Sequence, residues 1–340
     1  MSVKCFVQDN VGVILLQRPK ALHALTLPMI DTMTTHLLEW QHAANVHAVV
    51  IHAEPSKAFC AGGDIRQIYD LRRDFSQQLN FFEREYRLNQ LIHDFPKPYI
   101  ALMDGITMGG GVGISLHGSH CVGSEHFTFA MPETGIGFFP DIGASHILAQ
   151  CLGQFGYYLG LSGDQISVKD ALALNLISAM VPAEHFPTLM EALFQADLSK
   201  DAYYTATQCI EKFSEKSLTS TLLKKKEGID ACFVPDSMER IMDRLAQRKE
   251  AWYQDLRERL LSKSPLSLKV TLQQLRFAKP KTLAACLDMD GRLVRHFLQD
   301  QDFYEGIRAV IVDKDKRPCW QPMTLAEVTP MQVNRYFEAG

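Results

Sequence analysis

Two carboxylates lie in one otherwise apolar stretch of the chain, "MPETGIGFFPDIGAS", which runs from Met131 to Ser145. Apart from Glu133 and Asp141, this stretch contains apolar side chains, glycines, prolines and small hydroxyls. A carboxylate in such surroundings loses hydration, so a protein keeps it there either because it is paired for structure or because it does chemistry. Both residues are candidates for acid/base or nucleophilic chemistry, and the stretch alone leaves the two interpretations open.

Two glycine-containing turns could stabilise a negative charge that develops during a reaction. The first turn is Ala61–Gly63 in "KAFCAGGDIRQIYDL", and the second lies in "DGITMGGGVGIS", which spans Asp104–Ser115. Each precedes a predicted helix, where backbone N–H groups lack helical acceptors. No Lys-Ser or Lys-Thr follows a phosphate-loop pattern, and Ile114 stands where a dinucleotide site needs its third glycine. The pair favours a two-donor oxyanion hole, in which loss of one donor costs about 2.7–4 kcal/mol.

Simpler structural roles compete with chemistry at these positions. Asp64 is favoured as a helix cap, and Asp141 could instead cap a helix that begins near Gly143. Glu133 could be the partner of a helix terminus or of a buried arginine. Cys60 lies beside the first turn, but the sequence positions no histidine to activate it, so a buried structural cysteine is predicted.

Alternating strands and helices in the first half of the chain must position these loops. The stretch between the first two strands has helical spacing, with Thr26 as its cap. The later strands run directly into glycine- or proline-marked loops, where α/β folds usually place their sites. The predicted strands are Val11–Gln17, Val46–Ala53, Tyr99–Gly105 and Phe127–Ala130.

The C-terminal part of the chain has the pattern of nearly continuous helix. This change predicts an α/β core over residues 1–190 and a helical region over residues 191–340 that packs on the core. The predicted helices there include Met238–Leu261, a segment capped at Ser264 and Leu283–Leu298, and the next predicted strand is "RAVIVD", Arg308–Asp313.

Composition and charge narrow the class of protein. With 340 residues, of which 46% are hydrophobic and 22% charged, the chain has the composition of an ordinary globular protein with a large core. A net charge of −4 provides no long-range attraction for nucleic acid or an anionic membrane, so neither is expected as a partner. One local basic run, Lys224–Lys226, is interpreted as a solvated helix face.

Cysteine and histidine spacing argues against metal sites and disulfides. The eight cysteines include no CxxC pair, which indicates a reducing compartment. His117, His120 and His126 lack the HExxH arrangement, so no metal is expected. The first residues have neither a signal-peptide core nor the character of a transit peptide, and these features together predict a cytoplasmic protein.

Five segments carry a resemblance to a known family. "KAFCAGGDI", "GITMGGGVG" and "FAMPETGIGFFPDIGAS" resemble the crotonase (enoyl-CoA hydratase/isomerase) superfamily, and the likeness continues through "LQRPKALHALT" and "DFYEGIRAVIVDKDKRPCW". Among its branches the chain is most similar to the one that hydrolyses 3-hydroxyisobutyryl-CoA. The resemblance implies an α/β fold, a crotonase-like spiral of repeated ββα units with the helical C-terminal part packed over it.

The resemblance also assigns roles to residues of the motifs. It implies that the carbonyl oxygen of a coenzyme A thioester binds between the backbone N–H groups of Gly63 and Gly110. Hydratases of the family usually carry two glutamates, in the segments corresponding to "GGGVG" and "MPE". Here Gly113 replaces the first, Glu133 matches the second, and Asp141 stands where the hydrolase branch has a carboxylate.

The implied activity is hydrolysis of a short 3-hydroxyacyl-CoA, above all 3-hydroxyisobutyryl-CoA in valine catabolism. Glu133 would either attack the thioester or deprotonate a water, while Asp141 orients the water or the substrate and manages protons. Glu85 matches a glutamate that contacts the substrate hydroxyl, although an ordinary surface role also fits it. His23 stands where the family more often has asparagine, which puts any contact of that side chain in doubt.

The resemblance implies an enzyme without metal or redox cofactor, because coenzyme A is part of its substrate. An enoyl-CoA hydratase or isomerase that acts through Glu133, alone or with Asp141, is the alternative enzyme. An inactive scaffold that binds acyl-CoA or RNA is the alternative outside enzymes. A homo-oligomer is compatible with the family, whose members differ in their assembly.

Overall fold

The chain folds into two units, each assembled from segments that are far apart in the sequence. The structure is a computed structural model that describes residues 2–216, 219–234 and 237–338. Contacts define a sheet unit, comprising Met1–Gly63, Arg84–Phe129 and Gln165–Leu223, and a helical unit, comprising Asp64–Glu83, Ala130–Asp164 and Lys224–Gly340. This division differs from the single boundary predicted near residue 190, because the pattern of strands and helices does not reveal which distant segments pack together.

The strands are short and lie in the first 180 residues of the chain. The four strands predicted in the first half of the chain are present, which confirms the α/β class. In chain order they are β1 Val3–Gln8, β2 Val11–Leu16, β3 Ala48–Ala53, β4 Ala58–Cys60, β5 Tyr99–Met103, β6 Ile106–Met108, β7 His120–Gly123, β8 Thr128–Ala130, β9 Ile166–Ser167 and β10 Ala179–Met180.

The helices dominate the second half of the chain. In chain order they are α1 Leu27–Trp40, α2 Ile65–Asp70, α3 Phe75–His93, α4 Gly110–Gly113, α5 Ala144–Ala149, α6 Phe155–Ser162, α7 Val168–Ala173, α8 Phe186–Gln195, α9 Ala202–Glu211, α10 Lys226–Cys232, α11 Met238–Gln247, α12 Ala251–Leu261, α13 Pro265–Ala278, α14 Leu283–Phe297, α15 Gln301–Ile307 and α16 Pro330–Arg335. Within the described residues, no helix is both long and apolar enough to cross a membrane.

The larger sheet of the sheet unit has six strands in the order β1-β2-β3-β5-β7-β10. β1 pairs antiparallel with β2, and the remaining neighbours are parallel. β2 is almost wholly buried, as expected for a parallel strand that is covered on both faces. Helix α1 has Thr26 as its N-cap, as predicted. It packs closely against β2, because a Cβ on Gly12 would lie 2.6 Å from Trp40 Cε3.

The smaller sheet has the strand order β4-β6-β8-β9 and carries both glycine turns. β4 and β6 are parallel neighbours, with Ala58 opposite Ile106 and Cys60 opposite Thr107. Because parallel strands end at the same edge of a sheet, the turns that follow these two strands meet there. The two glycine turns, which are far apart in the sequence, thus lie side by side at one edge of this sheet.

The helical unit confirms some predicted helices and corrects others. Ser264 caps α13 by accepting a 3.1 Å hydrogen bond from the Ser267 amide, as predicted. The stretch predicted as one helix over Met238–Leu261 is two helices, α11 and α12. Of the basic run, Lys226 pairs with Asp230 on α10 at 2.5 Å.

The strand predicted at "RAVIVD" is wrong. Residues Arg308–Val312 form a π-helical turn that continues α15, and the Asp313 amide donates a 2.8 Å hydrogen bond to the Arg308 carbonyl. A short apolar β-branched run fits a strand and a helix segment equally well by periodicity. Here the helix that precedes it decides the outcome.

Candidate active site

The two glycine turns of the sheet unit bring Gly63 and Gly110 together. Gly62 has φ +110° and Gly109 has φ +48°, conformations that favour glycine. These turns follow β4 and β6 directly, and a Cβ built on Gly110 would lie 3.2 Å from the Gly63 amide nitrogen. The predicted pair of donors is therefore present as a pair of neighbouring main-chain amides.

Both amides are available to an external acceptor. Among the residues that the structure describes, none accepts a hydrogen bond from the N–H of Gly63 or of Gly110. Gly110 is buried at the start of α4, where the first N–H groups have no helical acceptor. Buried amides are almost always hydrogen bonded in folded proteins, so the buried Gly110 N–H, with the half-buried Gly63 N–H beside it, can bind an anionic or carbonyl oxygen.

Glu85 lies against this pair. The side chain projects from α3, is only 2% exposed, and its Oε1 would clash with any Cβ at position 110. Such burial excludes the solvated surface role that the sequence left open. Because a carboxylate and the main chain share this space, only glycine fits at position 110.

The residues around the first turn have structural roles. Asp64 caps α2 by accepting a 3.3 Å hydrogen bond from the Gln67 amide, as predicted. Burial raises the pKa of the Cys60 thiol to about 12, which leaves no thiolate to act as a nucleophile.

The His23 side chain stabilises the loop that leads into α1 through two hydrogen bonds to the main chain. Its Nδ1 accepts a 3.0 Å hydrogen bond from the Arg18 amide, and its Nε2 donates one of 3.0 Å to the Glu54 carbonyl. This pattern requires a neutral ring, and burial lowers the pKa of His23 in agreement with it. Its φ of +54° is one that asparagine also tolerates, so the histidine serves the backbone.

Glu133 lies in the helical unit, in a short 3₁₀ turn over Glu133–Ile136. An aromatic cluster that follows the turn anchors the loop: the rings of Phe138 and Phe303 are 4.6 Å apart, and those of Phe139 and Phe297 are 5.2 Å apart. The bulky apolar residues that surround the carboxylates in sequence therefore fix the loop in the core.

The environment of Glu133 disfavours its charge. The residue is 7% exposed, and its Oε2 makes no hydrogen bond with any described residue. Burial raises the pKa of Glu133 well above its usual range, and the nearby charge of Asp141 raises it further. A carboxylate paired with arginine would have a lowered pKa, so pairing with arginine does not describe this residue. Its place in the first turn of the 3₁₀ helix is compatible with the helix-terminus alternative.

The positive charge of Lys263 partly offsets the rise in the pKa of Glu133. Its Nζ would lie 2.9 Å from a Cβ on Gly135, within the Glu133 turn, and its charge lowers the pKa of Glu133. The next residue is bonded to the same turn, because the Ser264 amide donates a 3.2 Å hydrogen bond to the Thr134 carbonyl. The sequence does not predict a role for Lys263, because 130 positions separate it from Glu133 and no local pattern marks it.

Asp141 is buried, with 5% of its surface exposed, and precedes α5. The N-cap of α5 is Gly143, which has φ +69°. The role of Asp141 as a helix cap therefore stays a prediction. The Asp141 charge contributes to the raised pKa values of its carboxyl neighbours.

The turn that carries Asp141 is held by hydrogen bonds with Gln274 and Asp290 of the C-terminal helices, which we call the clamp. Ile142 has φ +56°, a conformation that a β-branched residue rarely adopts. Asp290 accepts a 2.8 Å hydrogen bond from the Gly143 amide. Gln274 Nε2 donates hydrogen bonds of 2.8 Å to the Pro140 carbonyl and to Asp290. These bonds bracket the strained residue on both sides.

Asp290 is a third buried carboxyl of this cluster. It is fully buried, and burial raises its pKa well above the usual range, with the charge of Asp141 adding to the effect. Carboxyl groups that interact in a low-dielectric environment release their protons in coupled steps. The helical unit thus contains a carboxyl cluster suited to proton transfer or nucleophilic attack.

The predicted site residues fall into two groups. Gly63, Gly110 and Glu85 lie together in the sheet unit, and Glu133 and Asp141 lie together in the helical unit. No cluster of His, Cys, Asp and Glu in the described parts of the chain could hold a metal ion. The chemistry available is main-chain binding of an oxyanion in one group and carboxyl chemistry in the other.

Comparison with curated proteins gives relatives over nearly the whole chain. "3-Hydroxyisobutyryl-CoA hydrolase, mitochondrial" of Rattus norvegicus is 38% identical over 336 residues, which cover 96% of this chain and 86% of the relative. The protein of the same name from Homo sapiens is 37% identical over 335 residues, with the same coverage of both chains.

Solved structures confirm the predicted crotonase-like fold. A carnitinyl-CoA dehydratase from Mycobacterium thermoresistibile has a TM-score of 0.94 at 33% identity and covers 100% of this chain and 97% of its own. An enoyl-CoA hydratase from Rhodobacter sphaeroides 2.4.1 has a TM-score of 0.92 at 34% identity, with 99% and 97% coverage.

The prediction of a cytoplasmic location is wrong, because the curated relatives are named as mitochondrial proteins. All eight cysteines are free. Free cysteines indicate a reducing environment, but they do not identify the compartment that provides it.

The motifs that predict the family are spread along nearly the whole chain. A family match that tests this prediction should therefore also cover nearly the whole chain. The sequence pattern described as enoyl-CoA hydratase/isomerase matches residues 11–337. With relatives at 37–38% identity over 96% of its length, the chain belongs to the enoyl-CoA hydratase/isomerase family.

Proposed function

We propose that this chain hydrolyses 3-hydroxyisobutyryl-CoA to 3-hydroxyisobutyrate and free coenzyme A, a step of valine catabolism. The names of the curated relatives support this substrate. The observation that carries hydrolysis rather than hydration is the residue at position 113. It is a glycine, and Asn89 fills the space that a side chain there would need, at 2.6 Å from a built Cβ.

The amides of Gly63 and Gly110 are the proposed oxyanion hole. They would donate two hydrogen bonds to the thioester oxygen, and these bonds strengthen as negative charge develops on that oxygen. Their close approach and their lack of acceptors among the described residues support this role. Each such donor typically contributes a factor of about 10²–10³ to the rate.

Glu133 is the proposed reactive carboxylate. In the nucleophilic route its oxygen forms a bond to the thioester carbon, the C–S bond breaks, and the thiolate takes up a proton. Water then attacks the mixed anhydride, which releases the acid and restores the carboxylate. In the general-base route Glu133 removes a proton from a water that attacks the same carbon. Its raised pKa supports either route, since a basic carboxylate is the better proton acceptor.

Asp141 is the proposed second carboxyl, which orients the water and transfers protons to the leaving group. Its charge interacts with that of Glu133, as the raised pKa of Glu133 reflects. Glu85 is the proposed partner of the substrate hydroxyl, and its burial beside Gly110 supports that role.

Free-thiol release distinguishes the proposal from its alternatives. With 3-hydroxyisobutyryl-CoA, stoichiometric appearance of thiol supports hydrolysis. A change in enoyl absorbance without thiol would instead support hydration, as the names of the structural neighbours suggest. Binding of the thioester with neither signal would support an inactive scaffold.

A further inference from the structure

Asn89 is a buried amide that no described residue satisfies. The side chain has 0% exposure, and neither its Nδ2 nor its Oδ1 has a hydrogen-bond partner in the described parts of the chain. Burial of a polar group without partners is costly, and buried side-chain amides in folded proteins normally have partners. This amide therefore has both its donor and its acceptor available to a small molecule.

The position of Asn89 relates it to the predicted oxyanion hole. It follows Glu85 by four residues on α3, so the two side chains lie on one face of that helix. Opposite them runs α4, with Gly110 against Glu85 and Gly113 against Asn89. The rise of α4 between those glycines is about 4.5 Å. Asn89 thus lies about one helical turn from the amide of Gly110.

We propose that Asn89 is a specificity residue whose side-chain amide binds the 3-hydroxyl group of the acyl chain, an inference that rests on the proposed function. The hydroxyl is separated from the carbonyl carbon by three bonds, a span comparable with one turn of α4. A hydroxyl both donates and accepts. It would donate its proton to the Glu85 carboxylate and accept a hydrogen bond from Asn89 Nδ2.

Gly113 is a condition for this arrangement. A Cβ there would lie 2.6 Å from Asn89 Nδ2 and 3.1 Å from its Oδ1, so any larger residue would displace the amide. Among the described residues, none makes a polar contact with this amide that would compete with the substrate. An acyl group that lacks the hydroxyl would leave the amide unsatisfied, and a site of this kind discriminates strongly against such analogues.

The test compares thiol release from 3-hydroxyisobutyryl-CoA and from isobutyryl-CoA, which lacks the hydroxyl. In Asn89→Leu, which keeps the branching of the side chain and removes both polar groups, kcat/KM for the hydroxylated substrate should fall at least about 100-fold while that for isobutyryl-CoA changes less than about threefold. Asn80→Leu, at an exposed position of the same helix, should change neither. An equal fall with both substrates, or an unchanged preference, would overturn the proposal.

A second variant and a binding measurement keep the result interpretable. If Asn89→Leu does not fold, the isosteric Asn89→Asp, which lacks the N–H donors, should lose the same preference. Equilibrium binding of the two thioesters gives a readout without turnover: the unaltered chain should bind the hydroxylated ligand more tightly, and the Asn89 variants should bind both alike. Equal binding by the unaltered chain contradicts the role of Asn89. Absence of thiol release with preferential binding contradicts only the proposed hydrolysis.

Discussion

The Asp290 carboxylate accepts a 2.8 Å hydrogen bond from the amide of Gly143. That amide lies two residues after Asp141, and the residue between them, Ile142, has a φ of +56°. A strained backbone conformation persists only where surrounding contacts stabilise it. Here the hydrogen bonds of Asp290 and Gln274 stabilise the turn. The geometry of Asp141 therefore depends on a residue 149 positions away in sequence.

Asp290→Asn should weaken both the fold and the reaction. The asparagine keeps one oxygen and replaces the other with an NH2 group, so one of the two donors, the Gly143 amide or Gln274 Nε2, loses its acceptor. A buried donor left without an acceptor costs about 1–3 kcal/mol, so the unfolding midpoint should fall and kcat for thiol release should drop with little change in KM. Thermal unfolding and steady-state kinetics measure these effects. Asp288→Asn, at an exposed position of α14, is the matched control, and equal behaviour of the two variants would contradict the clamp.

Gly110→Ala should abolish most activity. Its Cβ would collide with Glu85 Oε1 and lie 3.2 Å from the Gly63 amide nitrogen, which displaces at least one oxyanion donor. Loss of a donor lowers kcat by about 10²–10³. The rate of thiol release from purified variants gives the result.

Gly291→Ala is the control for the glycine substitution. Nothing lies within 4 Å of a Cβ at that position on α14, so activity should be retained and stability should rise by up to about 1 kcal/mol. Full activity in Gly110→Ala would show that the glycine pair has no part in the reaction.

Glu133→Gln should alter the pH dependence of stability. Burial raises the pKa of Glu133 in the folded chain, so its contribution to stability is present below the ordinary carboxyl pKa of about 4.3 and is lost as the pH rises through the folded-state value. A glutamine does not ionise and avoids that loss. Relative to the unaltered chain, the variant should therefore gain stability as the pH rises, as thermal unfolding across a pH series would reveal. A constant difference at every pH would show that the carboxyl is not perturbed.

Local sequence was sufficient to predict the structure of segments whose conformation depends on adjacent residues. The glycine turns, the caps at Asp64 and Ser264 and the apolar loop around Glu133 follow from adjacent residues, and all were predicted correctly as structure. Their roles in catalysis remain predictions.

Tertiary contacts decided what the sequence could not predict. Lys263, Gln274 and Asp290 reach the loop that carries Glu133 and Asp141 from segments more than a hundred residues away. No pattern in their own segments distinguishes them from ordinary structural residues. Asn89 has no motif at all, and its burial alone marks it. The π-helical turn at Arg308–Val312 shows the same limit, since the preceding helix overrides the strand-like composition.

The most direct test of the mechanism is thiol release from 3-hydroxyisobutyryl-CoA by Glu133→Gln. The glutamine retains the shape of the side chain but can neither attack the thioester nor accept a proton from water. We predict that kcat falls by at least about 10³ while circular dichroism and thermal unfolding show an intact fold. Turnover at the rate of the unaltered chain would contradict the assignment of Glu133 as the reactive group.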